Sequence, residues 1–531
     1  MKLTCTGMKE QQMWLEVGIK LPTYDIEVMR QKTVEAPRWM HFGAGNIFRV
    51  FLGGVAEDLI EANVMETGIT CVETFDEAIV EQIYHPFDNL VLSVLLGADG
   101  TKKKRVIGSL AEALTKDSQR LKEAMVNPSL QLISLTITEK GYQLTDSTGA
   151  FFPMIEHDIQ NTPEQAKSAV GIITNGLYQR YVAGKYPIAV VSMDNCAHNG
   201  ERLKSAVITI AGKWLEKGNV AADFVSYLKN EQLVSFPWTM IDKITPRPSQ
   251  MIANELTEMG IEQMMPITTD KGTFIAPFVN AEVPQYLVIE DVFPNGRPAF
   301  KKIQAGVYLA DRETVNRVER MKVTTCLNPL HTALAVYGCL LGYTRISEEM
   351  KDEQLKKLVT QIGAVEGMKV VTDPVIFSAN DFLEEVLNER LPNPYVPDTP
   401  QRIATDTSQK MAIRFGETIK GYLKQGEDVS QLTGIALAIA GWLRYLLAVD
   451  DKGEPFELAN DPMKERLCHQ LKGIVVGQAE SYTGQLKNIL NDTQIFGVDL
   501  TTLPLGERIE GLFIELMAGV GSVRQTLTNH L

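Results

Sequence analysis

RWMHFGAGNIFRVFLGGVAEDLI, Arg38 to Ile60, decides how the first half of this chain folds. Trp39 to Phe42 reads as a short buried strand, GAGNIFR as a tight turn, and from Phe48 onward the apolar residues recur at helical spacing. The glycines are spaced Gly43-x-Gly45, with Phe48 where a third glycine could stand. A glycine turn between strand and helix lets the backbone approach a pyrophosphate, whose charge then sits on the free N–H groups of the helix N-terminus. Gly43, Ala44, Gly45, Asn46, Ile47, Phe48 and Arg49 are therefore candidate cofactor contacts, the alternative being an ordinary tight turn.

Working outward, a second apolar strand, Ile69 to Val72, ends at Glu73, with Asp76 just beyond. An acid roughly 20 to 30 residues after the glycines accepts hydrogen bonds from an adenosine ribose and repels a 2′-phosphate, which favours NAD over NADP. Alternatively, Glu73, Asp76 and Glu77 only solvate a helix start. Asn89 to Leu96 and the run after Asp99-Gly100 read as a hairpin, with Lys102, Lys103 and Lys104 as solvated turn and edge-strand charge. Leu132 to Thr138 and Ile188 to Met193 are two more buried strands, ending in Glu139 and in Asp194-Asn195. Ligands of open α/β sheets gather at the carboxyl ends of strands, so Glu139 and Asn195 are candidates, with loop capping as the alternative. Val234 to Ser249, with Asp242 and two prolines past Trp238, reads as a rigid loop or crossing strand. Gln285 to Phe300 reads as the last strand and a turn at Asn295-Gly296.

Residues 1–304 thus form an α/β dinucleotide-binding domain, its first 37 residues being an extension packed on it. Helical patterns then take over, at 329–343, 348–364, 378–388, 408–425, 430–449, 463–475 and 506–530. Residues 305–531 read as a helical substrate domain, with a cleft between the halves. Its entrance is ERMKVTTCLNPLHTALAVYGCLLGY, Glu319 to Tyr343. Here Lys322, Asn328 and His331 precede a long apolar helix, with Asn328 as the expected N-cap and Pro329 as the first helical residue. Polar groups at the mouth of a buried helix are rigid and partly dry, a good setting for acid–base chemistry. The plainer alternative makes Asn328 only a cap, His331 only a first-turn residue and Lys322 only the partner of Glu319.

The chain has 531 residues, 44% hydrophobic and 22% charged, as in an ordinary globular protein of more than one core. A net charge of -14 argues against nucleic acid or an anionic membrane as the main partner. Six cysteines, at 5, 71, 196, 326, 339 and 468, show no CxxC pair and no metal-ligand spacing, which suits a reducing compartment. With no signal-like N-terminus and no run of about 18 apolar residues, the expected location is the cytoplasm.

Several stretches occur together and in order: FGAGNIFR, SLTITEKGY, VVSMDNCAHNG, FPWTMIDKITPRPS, IEDVFPNGRP, MKVTTCLNPLH and RIATDTSQK. On these the chain resembles the polyol-specific long-chain dehydrogenases, the mannitol dehydrogenase family, and within it the hexuronate branch. The resemblance implies a Rossmann-like N-terminal domain, a mainly α-helical C-terminal domain, and a metal-independent oxidoreductase using NAD. It implies Lys322 as general acid–base, Asn195 and Asn328 on the substrate oxygen, His331 orienting the substrate, and Glu319 connecting the lysine to solvent. Glu139 and Asp242 join the cofactor candidates, and Arg402 and Lys410 the substrate-binding ones, the alternative for Arg402 being a surface salt bridge with Asp398 or Asp406. A lysine held near the cationic nicotinamide in dry surroundings can accept the alcohol proton, while two amides donate to the developing alkoxide.

The implied substrate is a small keto-sugar acid and its hydroxy acid, fructuronate and mannonate first, with mannitol–fructose or tagaturonate–altronate as alternatives. A non-catalytic nucleotide-binding sensor is the alternative of another class. The chain departs from the family in one place. Five residues rather than four separate Lys322 from Asn328, and Pro-Leu rather than Gly-Ser precedes His331. On one continuous helix Lys322 and His331 would point about 180° apart, at roughly 100° per residue. A break near Asn328–Pro329 is therefore expected.

Overall fold

The computed structural model describes residues 1–531, which divide into two compact units, Met1–Asn316 and Arg317–Leu531. The first is built on a six-stranded sheet: β1 (Trp39–Phe42), β2 (Ile69–Glu73), β3 (Leu110–Thr115), β4 (Leu132–Leu135), β5 (Ile188–Ser192) and β6 (Val234–Ser235). All neighbours are parallel and the spatial order is β3-β2-β1-β4-β5-β6. This is the order of a doubly wound dinucleotide-binding sheet, whose direction of winding reverses between β1 and β4. Parallel strands need covering on both faces, and β1 shows how its sequence supplies this. Trp39 enters one apolar core with Phe48, Ile69 and Val191, whereas Met40 and Phe42 enter the other with Ile133, Val190 and Trp214.

A second sheet in this unit explains the N-terminal extension. Strand Ile19–Lys20 pairs with Lys102–Ile107, which pairs with Val91–Leu96 and through it with Phe278–Glu282. The three lysines therefore lie on an inner strand and not on an edge, because the extension covers it. The hairpin itself is as expected. Thr239–Asp242 is a strand, in a third sheet with Tyr286–Glu290 and Val307–Ala310. Val307–Ala310 thus lies beyond the point where strand patterns end in the sequence. Its four residues are each only half-buried and give no apolar run.

The second unit contains no strand, only helices joined by turns. Its centre is α1 (Asn328–Leu341), apolar almost all round and buried from Pro329 to Leu340 apart from His331, until Gly342 at φ 79° ends it. It packs on α2 (Thr433–Tyr445), where the Tyr337 hydroxyl donates to Leu437 O at 2.8 Å.

One buried acid lies against α1. Glu349 is 0% exposed, neither carboxyl oxygen has a hydrogen-bond partner, and a Cβ on Gly338 would sit 2.1 Å from Oε1. Burial, reinforced by Asp352, raises its pKa well above the ordinary 4.5. Below that ordinary value folded and unfolded chains are both protonated and nothing is lost. As pH rises above it the unfolded chain gains by ionising, so stability falls. Glu349→Met is expected to stabilise the second unit by about 1–3 kcal/mol in urea melts at pH 5 and by more at pH 8. An unchanged or lowered midpoint at pH 8 would show that Glu349 has a partner.

Candidate functional site

The carboxyl ends of β1, β2, β4 and β5 carry the first group of candidates. Gly43 has φ 110°, and a Cβ there would lie 2.3 Å from Thr136 O, so the approach of β1 to the β4 loop requires glycine. Gly45 is different. It is exposed, and a Cβ there would meet no protein atom within 4 Å, so nothing in the protein's own packing demands glycine. An open backbone at the turn beside the reversal of strand order fits close approach of a dinucleotide phosphate.

Ala44 N–H donates to Glu73 Oε2 at 2.8 Å, and Glu73 Oε1 accepts from Phe75 N at 2.7 Å and Asp76 N at 3.1 Å. Glu73 therefore fastens the glycine turn to the end of β2. Asp76 is buried, with Oδ2 accepting from the Thr269 hydroxyl at 2.5 Å. Asn46 and Ile47 are half-buried in the first helical turn. Phe48, in the place of a third glycine, stacks on His41 with ring centroids 4.1 Å apart. His41 is neutral, since burial pulls its pKa down to about 3, and it bonds Ser134 and Thr136 of the β4 end. The expected helix begins here as a π-turn, Phe48–Leu52, before Gly53–Glu61 continues as α-helix. Arg49 is fully buried and donates to Ala276 O at 2.8 Å. Its guanidinium supports the turn from within.

Glu139 and Asn195 are exposed on the loops after β4 and β5, with Glu139 ion-paired to Arg202 at 2.7 Å. Two residues that sequence reasoning did not single out hold these loops in place. Asp194 accepts from Ile137 N, Thr138 N and the Tyr142 hydroxyl at 2.9, 3.0 and 2.5 Å. The buried Asn199 amide bonds Asp194 O at 3.0 Å and Thr239 Oγ1 at 2.8 Å. Asp242 is buried at the end of strand Thr239–Asp242.

In the second unit the break expected before α1 is present, in an unexpected form. The helix that carries Glu319 (Arg312–Met321) runs into a π-turn, Lys322–Cys326, and the chain then leaves helical geometry at Leu327 (φ -128°, ψ -61°). The N-cap is thus Leu327 and not Asn328, which is the first residue of α1 with Pro329 second. A π-turn holds one residue more than an α-turn, so it takes up the longer Lys322–Asn328 spacing locally. Asn328, relieved of capping, is half-buried in the same first turn as half-buried His331, and Lys322 is 4% exposed.

Around that turn, His331 Nε2 lies 3.4 Å from Asp398 Oδ2, and Asp398 Oδ1 is held by Arg402. Burial alone would raise the Asp398 carboxyl, but His331 and Arg402 outweigh it and hold its pKa below the ordinary value. Arg402 thus has the salt bridge to Asp398 that was its alternative role. The Lys410 ammonium donates to Ile403 O at 3.3 Å and to Thr405 O, and burial together with Arg414 brings its pKa down to about 8. No group of three or more His, Cys, Asp or Glu side chains is arranged to hold a metal ion.

Residues 37–302 match the mannitol dehydrogenase Rossmann domain and residues 314–509 the mannitol dehydrogenase C-terminal domain. The chain belongs to the mannitol dehydrogenase family. It is 50% identical to D-mannonate oxidoreductase of Thermotoga maritima across 99% of this chain and 98% of that protein. It is 31% identical to D-mannonate oxidoreductase of Escherichia coli across 80% of this chain and 83% of that one. Among solved structures it resembles Pseudomonas fluorescens mannitol 2-dehydrogenase in ternary complex with NAD and D-mannitol, at 27% identity and TM-score 0.70, covering 100% of this chain and 99% of that one. In family terms the β1–β4 edge is the dinucleotide half, and the turn from Lys322 to His331 belongs to the C-terminal half. Neither half has a helix long and apolar enough to cross a membrane.

Proposed function

We propose that the protein is an NAD-dependent oxidoreductase interconverting D-fructuronate and D-mannonate. The observation that carries this reading is the 50% identity to a D-mannonate oxidoreductase over essentially the whole of both chains. The open Gly45 backbone and the Glu73-fastened turn support Gly43 to Ile47 as the dinucleotide contacts, with Glu73 nearest the ribose, while the buried Phe48 and Arg49 back the turn from inside. When bound, NAD supplies or accepts the hydride. The chain's own residues then manage the proton and the oxygen. Lys322 takes the proton from the substrate hydroxyl in oxidation and returns it in reduction. The Asn328 amide donates to that oxygen as it becomes alkoxide-like, and the family resemblance assigns Asn195 the same task. His331, steadied by Asp398, orients the substrate, and Glu319, one turn before Lys322, exchanges the proton with solvent.

Loss of NADH absorbance with D-fructuronate, D-tagaturonate and D-fructose side by side tests the reading. D-fructuronate should be reduced fastest, by a factor of at least about 10², the usual worth of a buried ionic contact. Equal or better turnover of D-fructose would mark a polyol enzyme. NADH binding with no reduction of any of the three would mark a sensor.

A further inference from the structure

Three cations cluster below the first turn of α1, and they differ in what neutralises them. Arg402 is paired with Asp398. Lys410 hydrogen-bonds backbone carbonyls, with Asp406 and Asp461 as its more distant counter-charges. Arg414, on the π-turn Ala412–Gly416 that packs against both α1 and the Lys322–Cys326 turn, donates to the Thr332 hydroxyl. Burial is the single influence on Arg414, lowering its pKa to about 10, and no neighbouring carboxylate offsets it. Glu417, the acid nearest in sequence, is occupied by Arg320 and Lys420, each at 3.0 Å. Arg414 is thus a half-buried cation without a carboxylate beside it, next to Lys410, on which Asp406 and Asp461 act from beyond ion-pair distance. Such an arrangement is costly, and an anion at Arg414 would relieve it.

The position suits a substrate anion. Thr332, which receives the Arg414 bond, itself donates to Asn328 O at 2.9 Å, one helical turn along α1. That turn rises about 6 Å. In a keto-sugar acid with its ketone near the far end, four carbon–carbon bonds separate carbonyl carbon from carboxylate, about 5 Å when extended. With the oxygen at Asn328, the acid end therefore reaches the neighbourhood of Thr332.

We propose that Arg414, with Lys410 beside it, binds the substrate carboxylate and sets the preference for sugar acids over neutral polyols. This rests on the function proposed above and moves the carboxylate from Arg402, already paired, to the cation that is not. A guanidinium offers two parallel donors to a carboxylate, and a hydroxymethyl group in its place forfeits the ionic part.

The test compares R414Q and R414K with wild type on D-fructuronate and D-fructose. R414Q should lose about 10²- to 10³-fold in kcat/KM for D-fructuronate, mainly through KM, while its slow D-fructose turnover stays within about threefold. R414K, which keeps charge without the fork, should fall between and carries the test should R414Q fold poorly. Equal loss on both substrates, or unchanged D-fructuronate kinetics, overturns the assignment. Calorimetric titration with D-mannonate separates this from the reaction itself. Wild type that binds D-mannonate, with R414Q failing to, yet does not reduce D-fructuronate, would sink the proposed reaction and leave the carboxylate site standing. R414Q binding D-mannonate as tightly as wild type sinks the site.

Discussion

Lys322→Ala should lower kcat by about 10³-fold or more while NADH binds the variant as tightly as it binds wild type. Lys322 is buried at the start of the Lys322–Cys326 π-turn, in the same unit as Asn328 and His331, whereas the glycine turn lies in the other unit. Removing the amine takes away the group assigned to the proton and leaves the dinucleotide contacts untouched. Alanine is the best helix former and occupies a helical position here, so the backbone has no reason to move. Stopped-flow NADH oxidation at saturating substrate reads the first part, and NADH fluorescence titration the second. A loss below tenfold would remove Lys322 from proton transfer. A parallel loss of NADH affinity would mean that the substitution acts by disrupting structure.

The two glycines of the turn should fail in different ways. Gly43→Ala places a methyl 2.3 Å from Thr136 O at φ 110°, so overpacking and a backbone state that L-residues rarely adopt act together. About 2–5 kcal/mol of destabilisation is expected, read as a lower melting midpoint of the first unit. Gly45→Ala meets nothing in the protein and should melt with wild type. Its cost falls on the ligand, where a methyl in the path of the phosphate should weaken NADH by about 10²-fold or more. Should Gly45→Ala bind NADH normally, the turn is not a phosphate site. Should Gly43→Ala melt like wild type, the β1–β4 approach is looser than its geometry implies.

Much of the first unit was legible because strand, glycine turn and helix are local signals. Trp39 to Phe42, Ile69 to Glu73, Leu132 to Leu135 and Ile188 to Ser192 stand as strands where their apolar runs put them. Lys102 to Lys104 did not read as an inner strand, because the short strand covering them comes from far back in the chain. Asn328 looked like a cap because a helix start after Asn-Pro has that composition. The π-turn that moves the start back by one residue leaves no mark in hydrophobic periodicity. Glu349, in Ile-Ser-Glu-Glu-Met, reads as a solvated acid and is in fact buried. Arg414 was missed for a third reason, since its role depends on which charges around it are already paired. Asp76 was read toward the ribose, and its carboxyl is instead bonded to Thr269.

Three of the six wider helical turns, Phe48–Leu52, Lys322–Cys326 and Ala412–Gly416, fall beside the glycines, at the lysine and at the unpaired arginine; the others are Val80–Tyr84, Gln361–Glu366 and Val386–Arg390. In a regular helix one inserted residue would swing everything on one side of it by about 100°. Here a local widening absorbs the insertion, so a side chain changes heading while its helix keeps its neighbours. A single-residue deletion within 323–327 is accordingly a way to rotate the amine relative to the amide at 328 without rebuilding the helices on either side. Homologues could diverge in substrate by that route, with their cores left alone.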